Sequence, residues 1–246
     1  MDHVLYVHEI FPSFQGEGIL VGVPQVFVRL SGCNLRCSYC DTPEARERVK
    51  TCEIHAWRGK TETIRNPVGV RELAAIVTSI WKDSMHSVSL TGGEPLLQAD
   101  GLAHLLPALE SEGMGIYLET NGTLGKELQL VLPWTDWIAM DVKLPSTLGG
   151  EDVTYKHRDF ILRTAAAKVI LKMVITPNTD VTELERTCGI LEEAAGDMPL
   201  VLQPVTPAMG EEGISPRRAC ELCRAAGAFF GDVRVIPQMH RAWGAR

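Results

Sequence analysis

Cys33-Asn34-Leu35-Arg36-Cys37-Ser38-Tyr39-Cys40 is the stretch on which the fold turns. It follows Val26–Leu30, a short β-branched run that reads as a strand, so it forms a loop able to wrap three thiolates around one metal centre. A structural zinc site closes with four ligands, and no fourth Cys or His stands at a suitable short spacing. Three thiolates suit a four-iron cluster with one iron left open, since such clusters are otherwise held by four cysteines. A zinc or structural thiol site is the plainer alternative, and the missing ligand opposes it.

Outward from this loop, apolar runs at Val88–Thr91, Gly115–Glu119, Trp137–Val142, Val169–Ile175, Leu200–Gln203 and Val233–Ile236 also read as strands. Stretches with helical periodicity lie between them, at Val70–Lys82, Gly101–Glu112, Arg158–Ala167, Val181–Ala195 and Ser215–Phe229. This alternation predicts a parallel sheet with right-handed crossovers. A complete eight-unit barrel takes about 250 residues. This chain of 246 residues also carries an N-terminal stretch and a polar segment, Pro43–Gly69, without clear periodicity. The expected fold is α/β, an incomplete TIM-like barrel of about six βα units in one domain, with ligands at the carboxyl ends of its strands. Pro43–Gly69 reads as a functional lid or insertion.

The 31 acidic and 24 basic residues leave a net charge of −7, which provides no field to attract nucleic acid or an anionic membrane. Asp2, His3, His8 and Glu9 rule out a signal-peptide core at the start, and no later run reaches bilayer length, so a cytoplasmic protein is expected. Seven cysteines, three of them within eight residues, point to metal binding in a reducing compartment rather than to a disulfide framework. Cys188, Cys220 and Cys223 read as small core hydrophobes, and Trp81, Trp134 and Trp137 as packing residues.

Other segments carry chemistry. Thr91-Gly92-Gly93-Glu94-Pro95 ends the second strand, and its paired glycines allow backbone to approach a ligand where a Cβ would collide. Glu119-Thr120-Asn121-Gly122 ends the third strand as site wall or turn. Phe14-Gln15-Gly16-Glu17-Gly18 sets an amide and a carboxylate among glycines, suited to reading a polar heterocycle, although both could satisfy local backbone amides instead. Arg29 offers a planar fork for a carboxylate, or a partner for one in the core. Thr42 precedes Pro43 and could shape a turn, and His240 could be a ligand contact or a structural side chain.

The C-x3-C-x2-C loop with Tyr39 before its last cysteine, followed one helical unit later by Gly-Gly-Glu-Pro, resembles the radical S-adenosylmethionine superfamily. Phe14–Gly18, Arg29, Cys40-Asp41-Thr42 and Pro237–His240 narrow the resemblance to the 7-carboxy-7-deazaguanine synthases, lyases of queuosine and 7-deazapurine biosynthesis in a tRNA modification pathway. The resemblance implies a [4Fe-4S] cluster on Cys33, Cys37 and Cys40. It implies S-adenosylmethionine on Tyr39, Cys40, Asp41, Gly93, Glu94, Asp141, Val142, Lys143, Gln203, Pro204, Val205 and Thr206. The substrate, 6-carboxy-5,6,7,8-tetrahydropterin, would meet Phe14, Gln15, Gly16, Glu17, Arg29, Thr91 and His240, with Mg2+ on Thr42. No side chain is cast as catalytic, because a 5′-deoxyadenosyl radical made from S-adenosylmethionine abstracts hydrogen and starts the ring contraction. A flavodoxin- or ferredoxin-type electron donor and a homodimer are implied as well.

Asp141-Val142-Lys143 departs from the Ser-Pro-Lys of smaller family members and resembles the activases of glycyl-radical enzymes. An activase is therefore the second reading, opposed by the Phe14–Gly18 and Pro237–His240 segments, which suit a small closed site. A non-catalytic iron–sulfur or zinc module is the third, opposed by Gly92–Pro95.

Overall fold

The computed structural model describes residues 3–57, 61–164, 167–207 and 212–244. In chain order the elements are β1 (Val4–Leu5), β2 (Val7–Phe14), β3 (Pro24–Leu30), β4 (Thr51–Ile54), β5 (Glu62–Arg65), β6 (Val68–Gly69), α1 (Val70–Ile80), β7 (Ser87–Gly92) and α2 (Ala99–Ser111). Then follow β8 (Ile116–Thr120), α3 (Gly125–Val131), β9 (Trp137–Val142), α4 (Thr154–Ile161), β10 (Lys168–Ile175), α5 (Val181–Ala195), β11 (Leu200–Pro204), α6 (Pro216–Ala226), β12 (Val233–Val235) and α7 (Met239–Trp243).

Ten strands form one sheet in the order β12-β11-β10-β9-β8-β7-β3-β2-β4-β5, while β1 pairs with β6. From β3 through β12 the pairings are parallel, giving the expected six βα units of an open barrel. Strand alternation sorts the side chains into two layers. Val88, Leu90, Leu118, Met140, Val142, Leu171 and Met173 face the helices and form the main core with them. Their sequence neighbours point into the barrel, where Tyr117, Ala139, Ile170 and Val201 cluster with Ile19 and Leu20 and plug the floor. Above that plug the inward positions include Arg29, Thr91, Glu119, Asp141, Lys172 and Gln203, and this is where a ligand can bind.

Helix starts follow local capping chemistry. Asp180 accepts the Glu183 N–H at 2.9 Å and opens α5 where the sequence places it. Ser215 caps α6, with Pro216 at its first position.

Several expectations need correction. The helix expected over Arg158–Ala167 is α4, which starts earlier, after Asp152 has accepted the Thr154 N–H at 3.0 Å. It ends where Arg163 and Thr164 turn back onto the Phe160 and Ile161 carbonyls, and residues 165 and 166 lie outside the described residues. Pro43–Gly69 is not irregular: β4 and β5 form a hairpin that extends the sheet beyond β2, and β6 returns to pair with β1. Residues 58–60 of this segment lie outside the described residues. Both hairpin strands are largely solvent-exposed, so they carry no clear apolar alternation for a sequence to display. Strand β2, antiparallel to β3, was also unmarked, because His8, Glu9 and Pro12 interrupt its apolar pattern. Cys188 is buried and Cys223 half-buried, but Cys220 is exposed on α6 and is no core hydrophobe. Trp81, Trp134 and Trp137 do pack against the cores.

Candidate active site

A cavity of about 1380 Å³ lies at the carboxyl ends of the parallel strands. The expected site residues all line it except Glu94, Val142 and Pro204. Val142 is buried in the outer core, on the far side of β9.

The cysteine loop forms one wall. Cys33, Cys37 and Cys40 are half-buried free thiols facing this cavity. Backbone bonds hold the loop: Gly32 N–H donates to Ala45 O at 2.8 Å, Cys33 N–H to Arg46 O at 2.9 Å, and Glu94 N–H to Gly32 O at 2.8 Å. Asn121 Nδ2 donates to Asn34 Oδ1 at 2.8 Å, tying the turn after β8 to the same loop. Burial pushes the Cys33 and Cys37 thiols up, and iron ligation would convert them to thiolates. Two sulfurs on one tetrahedral zinc lie about 3.8 Å apart. Among the described residues, the only ligand atoms of three such groups all within 4.8 Å of one another belong to Glu17, Asp41 and His240, not to the cysteines. The wider thiol spacing suits a polynuclear cluster better than one ion.

A charged network adjoins this loop and forms a second wall. Asp141 Oδ2 lies 2.7 Å from Lys143 Nζ and 3.4 Å from Lys172 Nζ, in register across β9 and β10. Burial favours a neutral Asp141, but the two ammonium groups outweigh it and hold the carboxyl below its usual range. Lys143 also donates to the Tyr39 hydroxyl at 3.1 Å and lies over its ring at 5.0 Å. Lys172 pairs in addition with Glu17. Burial opposes the ionised Glu17, and Lys172 and Gln238 overcome it, so Glu17 stays below the usual range. Gln238 Nε2 donates to Glu17 at 2.8 Å and to Asp41 at 3.0 Å, and its carbonyl accepts from Thr206 at 2.6 Å.

Arg29 Nε donates to Glu9 at 2.8 Å, and Nη1 reaches Thr42 Oγ1 at 3.4 Å. Thr42 in turn donates to Asp41 at 3.0 Å. His240 reaches the cavity because Gly16 makes room for it: a Cβ at Gly16 would stand 2.2 Å from His240 Nδ1. The Met239 N–H, donating to Gly16 O at 2.8 Å, fixes that approach.

Two buried acceptors in this cavity have no partner among the described residues, Asp141 Oδ1 and Gln203 Oε1. Buried acceptors are normally satisfied, so these two mark where a ligand's donors would go.

The Radical SAM superfamily profile matches residues 27–148. A 7-carboxy-7-deazaguanine synthase from Geobacter sulfurreducens is 42% identical over 243 residues, covering 97% of this chain and 96% of the relative. The chain belongs to the 7-carboxy-7-deazaguanine synthase family. It is a radical S-adenosylmethionine lyase. A second synthase, from Methanopyrus kandleri, is 36% identical over 241 residues, 96% of this chain and 92% of that one. In fold, the chain is similar to the crystal structure of QueE from Escherichia coli, with a TM-score of 0.61 and 23% identity over 98% of this chain and 95% of that one.

The cofactors of a radical S-adenosylmethionine enzyme fit this donor set: three thiols without a fourth, glycine backbone beside them, and orphaned acceptors in the same cavity. Lys172 and Glu119, absent from the expected ligand set, also face the cavity of this synthase-family chain. Glu119 accepts from Thr91 at 2.8 Å, Gln15 at 3.0 Å and Ser89 at 3.3 Å. Lys172 had a visible signal, a lone cation at an inward position of the apolar run Val169–Ile175.

Glu94 lies behind the wall. Its carboxylate accepts from Leu96 N–H at 3.0 Å, Thr120 Oγ1 at 2.8 Å and Asn121 N–H at 2.7 Å. Burial pushes its pKa up to about 7 against these bonds. The Asn121 carbonyl is 3.1 Å from Nε2 of His157, whose pKa burial pushes down to about 4. The two groups act on stability with opposite sign. Between about pH 4.5 and 7 folded Glu94 keeps a proton that the unfolded chain loses, so its contribution falls as pH rises. Between about pH 4 and 6.5 the unfolded chain binds a proton that His157 refuses, so that contribution rises with pH. The slopes cancel from about pH 5 to 6.5. His157→Gln should unmask the Glu94 slope, about 1 kcal/mol between pH 5.5 and 6.5 relative to the parent. Urea midpoints at pH 5.5 and 6.5 check this, and parallel shifts in both proteins would refute it.

Proposed function

We propose that this enzyme converts 6-carboxy-5,6,7,8-tetrahydropterin into 7-carboxy-7-deazaguanine with loss of ammonia. The observation that carries the reading is one cavity at the strand ends whose lining brings the cysteine loop together with Arg29 and the carboxylates of Glu17 and Glu119. Arg29 is a cation for the substrate carboxylate, and Glu17 and Glu119 are acceptors for the amino and ring N–H groups of a pterin. When bound, the cluster and S-adenosylmethionine would supply reversible hydrogen-abstraction chemistry. Cys33, Cys37 and Cys40 hold the cluster, and Gly93 lets backbone approach the cofactor. Asp141 and Gln203 offer it their unpartnered oxygens. Thr42, with Asp41 beside it, provides oxygen donors of the kind Mg2+ prefers. His240, Phe14, Gly16 and Thr91 wall the pterin, and Tyr39, Val205 and Thr206 the cofactor.

An activase is not favoured, because the relatives matched over nearly the whole chain are 7-carboxy-7-deazaguanine synthases, and a non-catalytic module would have no use for the orphaned acceptors. A flavodoxin- or ferredoxin-type donor, a homodimer, a single domain and a cytoplasmic setting accompany the reading. Among the described residues, no helix is long and apolar enough to cross a membrane.

The test is anaerobic reconstitution, then incubation of the reduced protein with S-adenosylmethionine, Mg2+ and the pterin, followed by mass spectrometry. The expected result is 7-carboxy-7-deazaguanine, with S-adenosylmethionine consumed in far less than stoichiometric amount. Slow release of 5′-deoxyadenosine with the pterin unchanged would overturn the substrate assignment.

A further inference from the structure

Gln25 is a fully buried amide on the inward face of β3, a position where a barrel interior normally holds Val, Ile or Leu. A buried amide is costly unless both its ends are bonded. Gln25 Oε1 accepts from Gln15 Nε2 at 3.1 Å, and its Nε2 donates to Ser87 Oγ at 2.8 Å, across the β3–β7 pair. Ser87, also buried, lies 2.9 Å from Nδ1 of His86, at a second cavity of about 640 Å³ on the opposite end of the barrel. A hydrogen-bonded chain therefore runs through the barrel from that end to the active-site cavity.

The direction of this chain is fixed at its upper end by groups of unambiguous polarity. The Glu17 backbone N–H can only donate, and it meets Gln15 Oε1 at 3.0 Å. Glu119, as a carboxylate, only accepts, and it takes one Gln15 Nε2 hydrogen at 3.0 Å. The second hydrogen of that amide needs an acceptor inside the barrel, and Gln25 supplies it. Gln15, itself buried, spends its amide on protein partners. It sets the orientation of Glu119 and the turn that carries Glu17.

We propose that Gln25 is a positioning residue for substrate recognition: it fixes the amide of Gln15, which aims the Glu119 and Glu17 carboxylates at the donor edge of the bound heterocycle. The inference rests on the pterin reading above. A purely structural role predicts instead that an apolar residue of similar volume is tolerated once Ser87 is also relieved of its partner.

The test uses the full-length, cluster-loaded enzyme and two variants, Gln25→Met and Gln25→Met/Ser87→Ala. In both, kcat/KM for the pterin should fall by about 10- to 100-fold, the range of one or two bonds lost to substrate-facing carboxylates. KM for S-adenosylmethionine, and its slow cleavage without pterin, should stay within about twofold of the parent. The double variant should regain the part of the thermal midpoint lost at Ser87, with the Gln15 hydrogen still unpaired, and keep the kinetic defect. Parent-like kcat/KM in Gln25→Met, or recovery of activity together with stability in the double variant, overturns the proposal. A second readout does not depend on the substrate assignment. In 15N-glutamine spectra, with Gln15→Ala to assign the signal, the Gln15 side-chain amide should exchange slowly in the parent and quickly in Gln25→Met. If the parent fails to turn over the pterin, the substrate reading falls, and unchanged amide exchange then overturns the positioning role separately.

Discussion

Gly93→Ala is expected to leave a folded protein that retains no iron–sulfur cluster and cleaves no S-adenosylmethionine. A Cβ at this position would stand 2.1 Å from Gly32 O, 2.6 Å from Gly32 C and 2.7 Å from Ala45 O. None of these atoms belongs to a flexible side chain. Each is backbone of the segment that presents the cysteines, and Gly32 O is held by the Glu94 N–H at 2.8 Å while Ala45 O is held by the Gly32 N–H at 2.8 Å. Overpacking in a core costs about 1–3 kcal/mol when side chains can shift. Here the relief available is to push the cysteine loop outward, which separates Cys33 from its partners. Relaxation preserves the fold, so the loss appears in the cluster. Iron and sulfide per chain after anaerobic desalting, with circular dichroism for the fold, measure it. Gly69→Ala is the control, since a Cβ there meets nothing within 4 Å. Parent-like iron content and cleavage in Gly93→Ala would show that the loop yields without losing its ligands.

The same glycine shows which parts of the protein were legible in its sequence. Gly92 and Gly93 announce a close approach, and the structure supplies the atoms approached, Leu30 O and Gly32 O. The six parallel βα units were legible because each strand buries one apolar face against helices, which leaves a repeating pattern. The hairpin of β4 and β5 was not, since its strands bury little on either face. Gln15, Glu17, Asp141 and Lys143 could be chosen as site residues from motif alone, but their partners could not. Lys172 meets Glu17 across a sequence separation of 155, and Gln238 meets it across 221. Such pairs depend on barrel register, which puts Lys172 opposite Asp141, and no local pattern encodes it. Glu94 shows the reverse case. Its motif marks it as a cofactor contact, yet its oxygens are consumed by the turn after β8.

The Asp141–Lys143–Lys172 cluster leads to the second large effect. Asp141→Ala should destabilise the protein by about 3–5 kcal/mol, the cost of leaving a buried charge without its partner. Lys143 is 7% exposed, and without Asp141 its ammonium would keep only the Tyr39 hydroxyl at 3.1 Å and the Tyr39 ring. Burial pulls Lys143 toward its neutral form, and Asp141 is the leading influence that raises it instead. With Asp141 gone, burial lowers the folded pKa below the unfolded value. The unfolded chain then binds the extra proton, so the variant should recover part of its stability as pH rises toward 9, a recovery absent in the parent. Lys172 keeps Glu17 as its partner and should contribute little to the loss. Adding Lys143→Met removes the stranded charge, and because a buried pair replaced by apolar groups is often neutral or stabilising, the double variant should regain most of the 3–5 kcal/mol. It should nevertheless bind S-adenosylmethionine poorly, having lost the unpartnered Asp141 Oδ1 that the cavity presents. Denaturant midpoints at pH 7 and 9, beside equilibrium binding of S-adenosylmethionine, separate the two effects. A loss below about 1 kcal/mol in Asp141→Ala would mean that Lys143 finds water or another acceptor in the open cavity. In that case Asp141 would serve the ligand alone and not the charge balance of the wall.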